Sequence, residues 1–427
     1  MEVPLKGRGL VQRSRVFYGW WVVAGGAVSV ALVSGVYNFG FSAFVLPITT
    51  DFGISRGALS LMVAVGGLLQ GGPVSPIVGM LVDRHGARVM TFLGMTLLGL
   101  GFLLLSTAHG VAQLYVYYLL FMALGIGLGS IMPAYAAAAR WFVRRRGTVF
   151  GIINAGFGLG AVVVLGIGLM IDHVGWRRAA VVIAVCVFTI GWSSAFVMRR
   201  SPQEFGLLPD GDRSPGAAKA TPGGVAREVD FTARETLSTR AFWLMHVSFI
   251  CRQVVWSGVT LHFVPAMVDK GLSEVTGAAL IGAFGIMSVP SRLIFGTLGD
   301  RFQKRRLLSA LAGLTAVSLL TFVWAAGLWQ VVLFVLLYAI AQGGTAPLML
   351  AITGEYFGGR SFGTIMGLSS MVMVVGTLGG PIIAGFLHDL TGDYDLTFYI
   401  FAAFSALGTV VIWFVTRPRL ARLSGAV

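Results

Sequence analysis

Two of the chain's 31 basic residues, Arg252 and Arg292, fall inside long apolar stretches. A charged side chain at the centre of a bilayer costs about 2.5–3.5 kcal/mol on insertion scales, so an arginine kept there marks a candidate site. No acidic residue and no lysine lies deep in any of these stretches. A guanidinium presents a planar fork that takes a carboxylate through two parallel hydrogen bonds, which makes a small organic anion the natural ligand. The alternative for Arg292 is a bond to helix-end carbonyls near the membrane surface. Arg252 either supplies a second cation or braces the structure through backbone carbonyls and lining residues.

A small anion also needs a close-fitting, partly apolar pocket. Tyr37, Asn38 and Phe41, with Tyr135, Trp256 and Tyr338, are the candidate lining residues, against the plainer reading of aromatics as packing or interface residues. His262 is the candidate for proton coupling, because an imidazole titrates near neutral pH. Its alternative is a bond to headgroups or carbonyls at a helix end, and His246 reads as interfacial.

The elements that must hold these residues are membrane helices. Of 427 residues, 56% are hydrophobic and 11% charged, with a mean hydropathy of +0.84. A soluble domain has about 25% charged residues. Apolar runs of spanning length number twelve, at roughly 17–47, 57–81, 88–107, 112–139, 147–171, 177–198, 241–267, 275–298, 307–326, 328–354, 363–387 and 396–416. They do not alternate, so helices are expected rather than a barrel. The net charge of +14 has a topological source. With twelve spans, 25 basic residues fall on one face and only Arg56, Arg177, Arg178 and Lys270 on the other. The positive-inside rule then puts both termini in the cytoplasm of a multi-pass inner-membrane protein, with lipid rather than nucleic acid as the surrounding partner. Cys186 and Cys251 lie in apolar runs, so neither a disulfide framework nor a cysteine metal site is indicated, and residues 1–15 lack the pattern of a removable leader. No catalytic triad and no metal-spaced His/Cys set is visible, so neither an enzyme nor a cofactor is expected.

The chain is also written twice. Gly79-Met-Leu-Val-Asp83-Arg84-His-Gly-Ala-Arg88 returns as Gly296-Thr-Leu-Gly-Asp300-Arg301-Phe-Gln-Lys304-Arg305. Arg140-Trp-Phe aligns with Glu355-Tyr-Phe, and Gly151 with Gly367. Residues 1–198 and 241–427 therefore form two six-helix halves, joined by a Pro- and Gly-containing cytoplasmic linker at 199–240. Within the linker, Thr232-Ala-Arg-Glu235 has the spacing of a helix capping box. Asp83 sits at a helix end, where a carboxylate can accept from a neighbouring helix N-terminus and nearby arginines. Asp83, Arg84, Arg88, Arg140, Asp300, Arg301 and Glu355 are accordingly the candidate gating residues. The plainer reading makes the arginines orientation signals only.

With twelve spans, a central loop and paired Gly-x-x-x-Asp-Arg loops, the chain resembles the major facilitator superfamily over its whole length. Tyr18-Gly-Trp-Trp, Pro209-Asp-Gly, Ala241-Phe-Trp, His262-Phe-Val-Pro265 with Lys270-Gly-Leu-Ser273, and Ser291-Arg292 ahead of Gly296 and Asp300 make it similar to the bacterial monocarboxylate transporter and oxalate/formate antiporter branch. The resemblance implies an all-α fold of two pseudo-symmetric halves, and alternating access by a monomeric functional unit. It implies that Arg292 is the carboxylate ligand, that Asp83 and Arg84 gate, and that the cargo is a small monocarboxylate such as a lactate-like acid. Coupling would be to H+ or a counter-anion. Departures bear on the detail. Span eleven has Leu368 to Val375 where oxalate-type members carry a lysine, Ser288 stands where animal members carry an aspartate, and Gly35 to Phe41 holds no lysine. The alternatives are an oxalate/formate-like anion exchanger and, from another class, a transport-dead sensor or assembly partner.

Overall fold

The computed structural model describes residues 17–54, 56–160, 162–212 and 230–418. The basic residues Lys6, Arg8, Arg13 and Arg15, the middle of the linker, and Arg419 and Arg422 lie outside them. Among the described residues every element is helical, the form in which a chain satisfies its own backbone in lipid.

The helices group into twelve passes. They are α1 (Gly19–Phe39, continued by Ser42–Phe52), α2 (Arg56–Gly71 with Val74–His85), α3 (Ala87–Ser106), α4 (Val111–Trp141), α5 (Arg146–Gly160 with Val163–Val174), α6 (Trp176–Val197), α7 (Arg240–Asp269), α8 (Glu274–Arg301), α9 (Lys304–Val323), α10 (Leu328–Phe357), α11 (Phe362–Thr391) and α12 (Asp395–Trp413). Ten of them contain a single helix long and apolar enough to cross a membrane. The other two are interrupted. In α2 the run Gly71-Gly72-Pro73 bends the helix by 46°, as expected where proline removes a backbone donor. The twelve runs read from hydropathy correspond to these passes, but hydropathy does not reveal the breaks. It also misses the π-helical turn Ser34–Phe39, which carries Tyr37 and Asn38 and is anchored by Ser34 Oγ donating to Phe157 O at 2.9 Å. Such turns recur at functional sites.

Caps mark several starts. Thr239 and Ser273 accept from Phe242 N and Thr276 N, and Thr232 and Glu235 form the expected capping box ahead of α7. The second copy of the repeat lost a glycine for a visible reason. Gly86 turns the chain with φ 85°, which favours glycine, whereas its counterpart Gln303 has φ −62°.

The halves meet where α2 crosses α11 and where α5 crosses α8. A Cβ on Gly79 would come within 2.2 Å of Gly363 O, and one on Gly147 within 2.2 Å of Gly296 O. The repeated glycines are thus the points at which the two backbones touch. The Gly125 and Gly129 run has a similar role inside one half, where added carbons would collide with α3 backbone at Gly94.

Candidate functional site

Arg292 lies on α8 with its side chain buried between the halves. Its Nη1 donates to Asn154 Oδ1 at 2.7 Å and to Asn154 O at 3.0 Å, both on α5. Asn154 Nδ2 in turn donates to the Tyr135 hydroxyl at 2.6 Å, so α4, α5 and α8 are tied in one relay. The guanidinium carbon lies 5.7 Å from the Phe157 ring centre. Arg292 Nε is buried without a partner, and among the described residues no carboxylate pairs with this arginine. The carbonyl contact is therefore with the middle of α5 in the opposite half, not with a helix end.

Arg252, on α7, stands 6.0 Å from the Trp256 ring and within electrostatic reach of Tyr338 and Arg292. Its hydrogen bond to Gln253 Oε1 is long, at 3.4 Å, and its Nε is also unpartnered. Tyr338 is 1% exposed, packs on Phe284 and Phe334, and leaves its hydroxyl unpaired. Arg292 and Tyr135 thus meet through Asn154 at the junction of the halves, while Trp256 packs on Phe284 and Tyr338 belongs to the C-terminal core, both within reach of Arg252. Tyr37 does not present a free hydroxyl there. It accepts from Gln70 at 3.0 Å and stacks on Tyr118 within the N-terminal core. Phe41 is buried in the same core, and Asn38 is exposed.

His262 is removed from this cluster. Its Nδ1 is 2.8 Å from the Tyr394 hydroxyl, at the end of the C-terminal half opposite the linker. His388 stacks 4.4 Å from Tyr394 and lies 3.6 Å from Asp269, while Lys270 pairs with Asp395 at 2.7 Å. Burial, then the carboxylates of Asp269 and Asp389, push the Tyr394 hydroxyl above its ordinary range. His246 bonds Phe242 O and is buried, not interfacial.

At the linker face the acids of the repeat join the halves. Asp83 accepts from Gly363 N at 3.2 Å and from Thr364 N and Oγ1 at 2.7 Å each, capping the N-terminus of α11. Asp300 does the same for α5, accepting from Gly147 N at 2.6 Å and Thr148 N at 2.8 Å, with the Thr148 hydroxyl as third donor. A helix N-terminus carries unpaired N–H groups and partial positive charge, so each acid is well matched to its seat. Arg140 donates to Asp83 at 2.9 Å and to Arg360 O at 3.0 Å, crossing between halves. Glu355 is not part of this cross-half network, because it pairs with Lys304 at 2.5 Å inside its own half. Arg84, Arg88 and Arg301 are exposed, and Arg88 lies over the Phe196 ring at 5.2 Å.

The sequence hid other contributors. Arg146 reads as one of three consecutive orientation signals, yet it is 3% exposed. It donates to Ala139 O and, across the halves, to Gly354 O at 2.7 Å. Arg146→Met should destabilise the protein by about 2 kcal/mol or more, since it orphans buried carbonyls. The exposed neighbour Arg145→Met should have little effect, and thermal unfolding of the two variants in detergent checks this. The linker is stapled as well. Asp210 accepts from Val143 N and Arg144 N, and Asp230 from Gly359 N and Arg360 N, at 3.0–3.1 Å. Asn154 was detectable as an isolated polar residue in an apolar run. Thr148 and Thr364 were detectable as a Gly-Thr pair repeated in register with the glycines.

Residues 26–326 and 280–426 match the Major Facilitator Superfamily. The chain belongs to that superfamily. Relatives include monocarboxylate transporter 13 of Bos taurus, 26% identical over 94% of this chain and 89% of its own. The oxalate:formate antiporter of Oxalobacter formigenes is 25% identical over 94% of this chain and 92% of its own. Among solved structures, the superfamily transporter FucP in the outward conformation has a TM-score of 0.71 at 15% identity, covering 94% of this chain and 100% of that one. The human organic anion transporter MFSD10 has a TM-score of 0.69 at 15% identity, with 92% and 98% covered. This superfamily member is thus a multi-pass membrane transporter, related to carriers of small organic anions.

Proposed function

We propose that this transporter moves small organic monocarboxylates by alternating access, with Arg292 as the carboxylate ligand. The observation that carries this reading is a buried cation held by a neutral asparagine. Arg292 is oriented by Asn154 across the halves, has no acidic partner among the described residues, and keeps an unpaired Nε. A carboxylate would complete it as a charge-assisted pair. Arg292 sits where α8 meets α5, so rocking of the halves would move the Asn154 contact and the anion together. The names of the related carriers support a small anion as cargo.

A second reading, exchange of an oxalate-like dianion, is favoured by one observation: Arg252 is a second buried arginine within electrostatic reach of Arg292. The face bearing the linker and most basic loops is assigned to the cytoplasm of the inner membrane, and Asp83 and Asp300 are assigned as its gate. Proton coupling is assigned to His262, which faces Tyr394 and through it His388, Asp269 and Asp389, with Lys270 and Asp395 alongside. In proteoliposomes an inward proton gradient should concentrate a labelled monocarboxylate. His262→Gln should remove that accumulation while counterflow of the same acid persists. Accumulation that ignores the gradient but requires an internal anion would favour exchange instead.

A further inference from the structure

One face of α10 carries Tyr338, Gln342 and Thr345, at the four- and three-residue spacing that stacks side chains on a helix. Tyr338 is within electrostatic reach of Arg252, and Thr345 lines a cavity of about 20 Å³ together with Arg252. Gln342 stands between them on the face that looks toward α7. Its height is fixed by its neighbours. Ser291 Oγ donates to Ile340 O at 2.6 Å, and a Cβ on Gly343 would lie 2.5 Å from Ser288 O. Gln342 is therefore level with the turn of α8 that bears Arg292.

Three buried polar atoms on α7 and α10 lack partners: Arg252 Nε, the Tyr338 hydroxyl and Gln342 Oε1. Gln342 is 4% exposed. A buried polar group left unsatisfied is costly. The adjoining cavity does not answer this need. Ser248, Thr315, Thr345 and Ser405 on its wall each donate to a backbone carbonyl, and its volume admits about one water.

A carboxylate has acceptors only. It can satisfy Arg292, Arg252 and the Tyr338 hydroxyl, all donors, but it has no proton for Gln342 Oε1. A hydroxyl beside the carboxylate has one. We propose that Gln342 is a specificity residue for 2-hydroxy acids. The substrate hydroxyl donates to Gln342 Oε1 and accepts from Tyr338, while the carboxylate rests on Arg292. This assignment rests on the carboxylate reading of Arg292 given above. A 2-oxo acid offers only an acceptor at that position, and an unsubstituted acid offers nothing, so neither gives Gln342 Oε1 a proton.

The test is initial-rate uptake of labelled lactate, pyruvate and propionate by proteoliposomes of wild type, Gln342→Met and Arg292→Ala. Wild type should show kcat/KM for lactate at least ~10-fold above that for pyruvate and propionate, the factor expected when a buried partner goes unpaired. Gln342→Met should shrink that ratio to within ~3-fold through loss on the lactate side. Equal handling of the three acids by wild type overturns the assignment without needing any variant to fold. A ratio unchanged in Gln342→Met also overturns it, since water rather than substrate would then satisfy the amide. If Arg292→Ala stops uptake while the wild-type ratio is near one, only the Gln342 assignment falls. If Arg292→Ala moves all three acids as wild type does, the carboxylate site falls and Gln342 with it.

Discussion

Arg292→Ala should lower carboxylate uptake about 100-fold or more, the largest single effect expected in this molecule. Removing one partner of a desolvated charge pair costs about 2–5 kcal/mol, and each 1.4 kcal/mol is tenfold in affinity. The substitution takes the cation from the anion and also leaves Asn154 Oδ1 without its donor. Arg292→Lys should fall between, because an ammonium keeps the charge but loses the fork that can hold Asn154 and substrate at once. If Asn154 acts by orienting the guanidinium, Asn154→Leu should raise KM more than it lowers the maximal rate. Uptake kinetics over a concentration range separates these effects.

The second large effect is conformational. Asp83 and Asp300 each place one carboxylate on an opposing helix N-terminus, with three hydrogen bonds apiece. Hydrogen bonds to a charged group contribute about 1.5–3 kcal/mol each, and a joint weakened by that much shifts a two-state population by tenfold or more. Asp83→Ala should therefore open the linker face, Asp300→Ala should do so to a similar degree, and the double variant more than either. Arg84 and Arg301 are exposed on opposite halves and suit spin labels as Arg84→Cys and Arg301→Cys, in a background without Cys186 and Cys251. Pulsed distance measurement should give one short distance in the wild-type gate and a growing long component in the variants. A distance distribution indifferent to both acids would remove them from the gate.

Much of this molecule was legible before its structure. The repeat was visible because Gly79 and Gly296 mark backbone crossings between halves, where no side chain fits, and because the acids that follow have a helix to cap. Arg252 and Arg292 stood out because charge is so costly in lipid. What was hidden depends on partners brought from distant parts of the chain. Arg146 and Arg145 look alike in sequence, and only the closeness of α10 to the start of α5 buries the first. Glu355 occupies Arg140's place in the repeat, yet Lys304 beside it captures the carboxylate within its own half. Tyr37 resembles a pocket residue until Gln70 and Tyr118 occupy its hydroxyl and ring. Gln342 carries no charge and follows no repeat, so nothing in its local sequence marks it.

A buried arginine at the junction of the halves is proposed to bind a monocarboxylate for transport. Counterflow in proteoliposomes is the decisive measurement, with wild type and Arg292→Ala compared side by side on labelled mono- and dicarboxylates and a neutral sugar. Saturable counterflow of short monocarboxylates is expected for wild type, with none of the sugar and loss of the signal in Arg292→Ala. Counterflow of carboxylates by Arg292→Ala at the wild-type rate would contradict the proposal.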